Sequence, residues 1–140
     1  MTTKPTTEDQ KLTGLRVLVV EDNFFIADEI CTTLRNSGAE ILGPSPNLEH
    51  GLALVKSQRR IDCAVLDINL HGDLAFSLAQ ELQQRGTPAI FATGYDSSVL
   101  PGAFSHSIRL EKPVNLTALL QAVQSVCAPV ETQGTGQEHP

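Results

Sequence analysis

The chain has 140 residues, a length suited to one domain. Its hydrophobic content is 41% with only 4% aromatic residues and no Trp, so any core must be built from Leu, Val, Ile and Ala. A net charge of −6, with no long basic run, argues against a nucleic-acid binder held by phosphate contacts.

Residues 1–13 are polar and rich in Thr, and read as a disordered tail before a domain spanning 14–127. The tail has no apolar signal segment, and no apolar run nears membrane-spanning length, so a soluble cytoplasmic protein without a membrane partner is expected. "LRVLVV" (15–20) is compact and β-branched, and predicts a buried strand. Ile26, Ile30 and Leu34 recur at helical spacing and stop near Gly38. "AEILGP" (39–44) predicts a weaker strand ended by Pro44. Asn47 is placed to cap a helix carrying Leu48, Leu52 and Val55. Lys56, Arg59 and Arg60, the one basic cluster, read as the solvated end of that helix.

"IDCAVL" (61–66) predicts the third strand, and Leu74, Leu78 and Leu82 a third helix ended at Gly86. "PAIFAT" (88–93) and "SIRL" (107–110) predict two more strands. Asn115 is placed to cap a last helix with Leu116, Leu120, Val123 and Cys127 on one side. Between Ser97 and Ser107 the pattern is poor, and Pro101 and Gly102 interrupt any helix there. Residues 128–140 read as a second disordered tail. Cys31, Cys63 and Cys127 are distant in sequence and lack C-x-x-C spacing, so they read as buried reduced thiols and not as a disulfide framework or zinc site.

Five β/α alternations imply an α/β fold, a doubly wound parallel sheet with helices on both faces. In such folds the functional crevice lies beyond the carboxyl ends of the strands. Glu21 and Asp22 follow the first strand there, Asp67 the third, Thr93 the fourth and Lys112 the fifth. Three carboxylates crowded at one edge repel one another and call for a hard divalent cation. Mg²⁺ suits them, with a backbone carbonyl such as that of Asn69 completing the shell. With the metal in place Asp67 can act as a nucleophile towards phosphorus. The Lys112 ammonium and Thr93 hydroxyl can then cover the oxygens of the transferring group. Asn23 is a plausible helix cap that also faces this edge, and Phe24 and Phe25 read as core or cleft-rim packing.

In their order and spacing these residues resemble the receiver domain of bacterial two-component response regulators. The matching pieces are "ED" after the first strand, "LDINL" around Asp67, Thr93 after the fourth strand and "KP" after the fifth. The resemblance implies a flavodoxin-like (βα)5 fold with strand order 2-1-3-4-5, one of the common doubly wound orders. It also implies Mg²⁺-dependent phosphoryl transfer from a kinase histidine to Asp67, giving an aspartyl phosphate, and a cis bond between Lys112 and Pro113. "FATGYD" (91–96) is similar to the FATGY subgroup of single-domain regulators, which implies a sensor histidine kinase of HWE type, or a histidine phosphotransferase, as donor. The family's aromatic switch position on the fifth strand is Arg109 here, so Thr93 and Tyr95 are the expected switch residues. His71 stands where the family often has Pro.

The expected role is a stand-alone phosphoacceptor that signals through an unidentified protein effector or drains phosphate from a kinase. Val99, Leu100, Phe104 and Ile108 are candidates for its apolar partner surface. Beyond self-catalysed phosphotransfer and dephosphorylation no enzyme activity is expected. Two alternatives stay open: a receiver-shaped adaptor that never carries phosphate, and a small aspartate-nucleophile phosphatase, against which Asn69 replaces the second acid of a D-x-D motif.

Overall fold

Strand β1 (Arg16–Val20) sends Val17 and Val19 into one apolar cluster and Leu18 and Val20 into another, as the alternation of a strand requires. Apolar residues on both faces make it an interior strand, covered on each side. The computed structural model, which describes residues 10–70, 73–94, 102–104 and 106–127, bears this out. After β1 come α1 (Phe24–Asn36), β2 (Glu40–Ser45), α2 (Leu48–Ser57) and β3 (Cys63–Asp67). The two-residue strands β4 (Asn69–Leu70) and β5 (Asp73–Leu74) follow, then α3 (Phe76–Gln84), β6 (Ala89–Thr93), β7 (Ile108–Glu111) and α4 (Leu116–Val126). Strands β2-β1-β3-β6-β7 form one parallel sheet, the expected 2-1-3-4-5 order when its strands alone are counted. Helices α2 and α3 pack on one face through Val55, Leu78 and Leu82. Helices α1 and α4 pack on the other through Ile30, Leu34, Leu119 and Val123.

Three asparagines start three helices. The side-chain oxygens of Asn23, Asn47 and Asn115 accept the backbone N–H groups of Ile26, His50 and Ala118 at 3.0, 2.8 and 2.8 Å. Each satisfies a donor the helix itself cannot, worth about 1 kcal/mol per cap. Beyond α1 and α3, Gly38 and Gly86 take φ of +99° and +77°, where a side chain would be strained.

The structure corrects several expectations. The folded unit begins before residue 14: Leu12 is 1% exposed, and its N–H donates to the Ser37 carbonyl at 2.8 Å. A lone leucine in a polar stretch carries no periodic signal. Pro44 does not end β2, because β2 is an edge strand and a missing N–H there costs little. The register instead shifts, Leu18 facing Leu42 but Val20 facing Ser45, with Gly43 at φ +103°. A Cβ on Gly43 would stand 2.8 Å from the Val19 carbonyl oxygen. Leu74 lies in β5, so α3 starts later than its leucine spacing suggested. The buried stripe of α1 is Ala27, Ile30, Cys31 and Leu34, and that of α4 is Leu119, Ala122 and Val123.

Phe104 is not a surface residue. It lies in a short 3₁₀ turn (Gly102–Phe104), 5.7 Å from the Phe91 ring and 6.0 Å from that of Phe76. Ile108 is half-buried against the α1/α4 cluster. Phe24 and Phe25 are 72% and 80% exposed, which excludes a core role. Residues 1–9 and 128–140, read as tails, lie outside the described residues, as do His71, Tyr95, Val99 and Leu100.

Candidate functional site

The carboxyl edge of the sheet collects the polar residues that this apolar fold buries. Glu21, directly after β1, is 3% exposed, and Asp67, the last residue of β3, is 4% exposed. Thr93 ends β6 and is buried, while Asp22 and Lys112 are half-buried. Placement follows from register. Asp67 lies beside Ala92 on β6, Thr93 beside Glu111 on β7, and the Lys112 N–H donates to the Thr93 carbonyl at 2.7 Å. The shifted β2 register brings the Ser45 carbonyl 2.9 Å from the Glu21 N–H, which holds the chain at this corner. The Lys112–Pro113 bond is cis.

The side chains converge. Lys112 Nζ lies 3.2 Å from Glu21 Oε1 and 3.2 Å from Asp67 Oδ2, and donates to Glu21 Oε2 at 3.4 Å. Oxygens of Glu21, Asp22 and Asp67 all lie within 4.8 Å of one another. Glu21 Oε2 also accepts the Asn23 N–H at 3.0 Å. Glu21 Oε1, although buried and close to the ammonium, accepts no hydrogen bond. Burial pushes the Glu21 carboxyl up to about 7, with the Asp67 charge adding to it while the Asn23 N–H and Lys112 oppose. At Lys112 burial alone lowers the pKa, but Glu21 and Asp67 outweigh it and hold the ammonium above its ordinary value.

Among the described residues, three carboxylates and the Lys112 ammonium leave an excess of negative charge in a largely dry corner. Glu21 Oε1 has the Lys112 charge beside it but makes no hydrogen bond, an arrangement that a divalent cation would satisfy. The donor set is all oxygen, which fits Mg²⁺ and not zinc. Glu21, Asp22 and Asp67 are thus brought together as the sequence suggested, with Lys112 and Thr93 beside them. Asn69 stands two residues beyond Asp67 at the start of the β4–β5 hairpin, a pairing the sequence did not signal. Tyr95 lies outside the described residues. Arg109 is exposed on β7. Two supports were missed from sequence, the Ser45 carbonyl and the Asn23 N–H on Glu21. The Gly43-Pro44 pair, a bulge signal, points to the first of them.

The chain matches a family model described as the response regulator receiver domain over residues 17–124. With the five-stranded fold and the acidic edge in place, the chain belongs to the response regulator receiver domain family. It is 32% identical over 89 residues to the sensory transduction protein LytT of Bacillus subtilis, covering 61% of this chain and 36% of that protein. The LytT protein of Bacillus cereus is 37% identical over 89 residues with the same coverage. The chain therefore spans about a third of the length of these relatives. Among solved structures it is similar to SdrG from Sphingomonas melonis Fr1, with 28% identity, TM-score 0.67, and 83% of this chain and 97% of that chain covered. A CheY-like receiver from Methanospirillum hungatei JF-1 superposes with TM-score 0.73 at 27% identity, covering 86% and 98%. No described helix is long and apolar enough to cross a membrane.

Proposed function

We propose that Asp67 accepts a phosphoryl group from a phosphohistidine, carried by a sensor histidine kinase of HWE type or by a histidine phosphotransferase. The observation that carries this reading is Lys112 Nζ, 3.2 Å from both the Asp67 and Glu21 carboxylates, with oxygens of Glu21, Asp22 and Asp67 within 4.8 Å of one another. An Asp67 oxygen forms the new bond to phosphorus as the bond from phosphorus to the donor imidazole breaks. Lys112 neutralises charge on the transferred group, and Thr93 donates its hydroxyl to one of the phosphoryl oxygens. Glu21, Asp22, Asp67 and the Asn69 carbonyl would hold Mg²⁺, which would supply positive charge against the phosphoryl oxygens. The turnover is the domain's own phosphorylation and dephosphorylation, and its role is signalling and not metabolism.

The string "FATGYD" supports placement in the FATGY subgroup of single-domain regulators, and with it the reading of a stand-alone, cytoplasmic regulator. Output then runs through a protein contact near Thr93 and Tyr95, or the domain acts as a phosphate sink. Incubation with acetyl phosphate and Mg²⁺, read by intact mass, tests the proposal. One phosphoryl adduct is expected, lost in Asp67→Asn and in the presence of a chelator. Turnover of added phosphoesters would favour the aspartate-nucleophile phosphatase, and no adduct at all the adaptor.

A further inference from the structure

The fold brings together two cysteines that stand far apart in the chain. Cys63 opens β3 and is fully buried, while Cys127 caps the carboxyl end of α4 and is half-buried. Cys127 Sγ lies 3.7 Å from the carbonyl oxygen of Asp62, the residue before Cys63, and both cysteines pack in the α1/α4 cluster. Interaction with Cys63 holds the Cys127 thiol below its ordinary value, while interaction with Cys127 and burial push the Cys63 thiol up. Cys31 on α1 differs, since burial pushes its thiol up.

We propose that Cys63 and Cys127 form a disulfide under peroxide, a modification site at the opposite end of β3 from Asp67. Cys127 Sγ attacks one oxygen of hydrogen peroxide; an S–O bond forms, the O–O bond breaks, and the departing hydroxide takes the thiol proton to give water. Cys63 Sγ then attacks the Cys127 sulfenic acid; the S–S bond forms, the S–O bond breaks, and hydroxide with the Cys63 proton gives a second water. Two thiols are oxidised and one peroxide is reduced. The bond ties the end of α4 to the start of β3 and leaves the acidic edge untouched, so it is independent of the phosphoacceptor reading.

The test treats the full chain with hydrogen peroxide, alkylates the remaining thiols and maps peptides without reduction. A mass loss of about 2 Da before alkylation is expected, with a Cys63–Cys127 peptide, an alkylated Cys31 and reversal by dithiothreitol. The cross-link should be absent in Cys127→Ser. The oxidised protein should melt higher than the reduced one, a difference that Cys127→Ser removes. Oxidation of Cys127 beyond sulfenic acid with Cys63 still free, a cross-link that includes Cys31, dimers in place of the internal bond, or a lower Tm on oxidation would each overturn the proposal. Mapping is done on the natural sequence, so the result does not depend on a Cys63 variant folding.

Discussion

At Glu21, burial and the neighbouring Asp67 charge oppose ionisation, and the carboxyl is raised from 4.5 in the unfolded chain to about 7. At this carboxyl the folded state therefore holds more proton than the unfolded state between these values, so its contribution to metal-free stability falls as pH rises through that window. Thermal melts in a chelating buffer should show Tm declining from about pH 4.5 to about pH 7, and Glu21→Gln should flatten the decline. Bound at the proposed site, Mg²⁺ should reverse the trend, because its ligands bind as carboxylates, and its stabilising effect should be larger at the alkaline end. Lys112 sits between the same acids. In Lys112→Met, acetyl-phosphate labelling should slow by about 10²-fold through loss of one charge-stabilising group. Mg²⁺ should bind that variant more tightly, since the competing ammonium is gone. Titration of Tm against Mg²⁺, alongside the labelling rate, separates the two effects.

Among the elements, the passage from β6 to β7 rests on aromatic packing. Phe104 stands 5.7 Å from Phe91 and 6.0 Å from Phe76, which themselves lie 6.1 Å apart, so a short turn is anchored to both β6 and α3. Phe104→Ala leaves a cavity in this trio and should cost about 3–5 kcal/mol in urea unfolding. A loss under about 1 kcal/mol would mean that the turn collapses onto the gap. On the other flank, α2 approaches the sheet through Gly51, where a Cβ would meet Leu78 Cδ2 at 3.1 Å and Val20 Cγ2 at 3.3 Å. Close approach of α2 and a bulged β2 together seat the Ser45 carbonyl against Glu21. The acidic corner is thus supported by backbone from an edge strand.

Taken whole, the molecule presents its acidic edge beside two exposed aromatic rings. Phe24 and Phe25 stand at the start of α1, one residue past Asn23, with ring centroids 5.5 Å apart. Exposed rings next to the proposed phosphoacceptor suit contact with the protein proposed to bring the phosphohistidine. Phe25→Ala should slow transfer from a phosphorylated kinase by at least about tenfold while leaving acetyl-phosphate labelling unchanged. Equal slowing of both would instead place Phe25 within the chemistry of the site.

Local pattern was enough to determine the parallel sheet, the three asparagine caps and the acids at the strand ends, while the strand order came from the resemblance to receiver domains. β-branched runs, helical spacing and capping chemistry act over a few residues and leave their mark in the string itself. Which residues meet across the fold was decided only by tertiary packing. Leu12 enters the core, Phe104 turns inward, Phe24 and Phe25 turn outward, and Cys127 reaches the backbone beside Cys63. The bulge opposite Val19 and the hydrogen bond it sets between the Glu21 N–H and the Ser45 carbonyl belong to the same group. Each depends on register and helix rotation, which no short window of sequence contains, because they are set by how two faces of one sheet are filled at once.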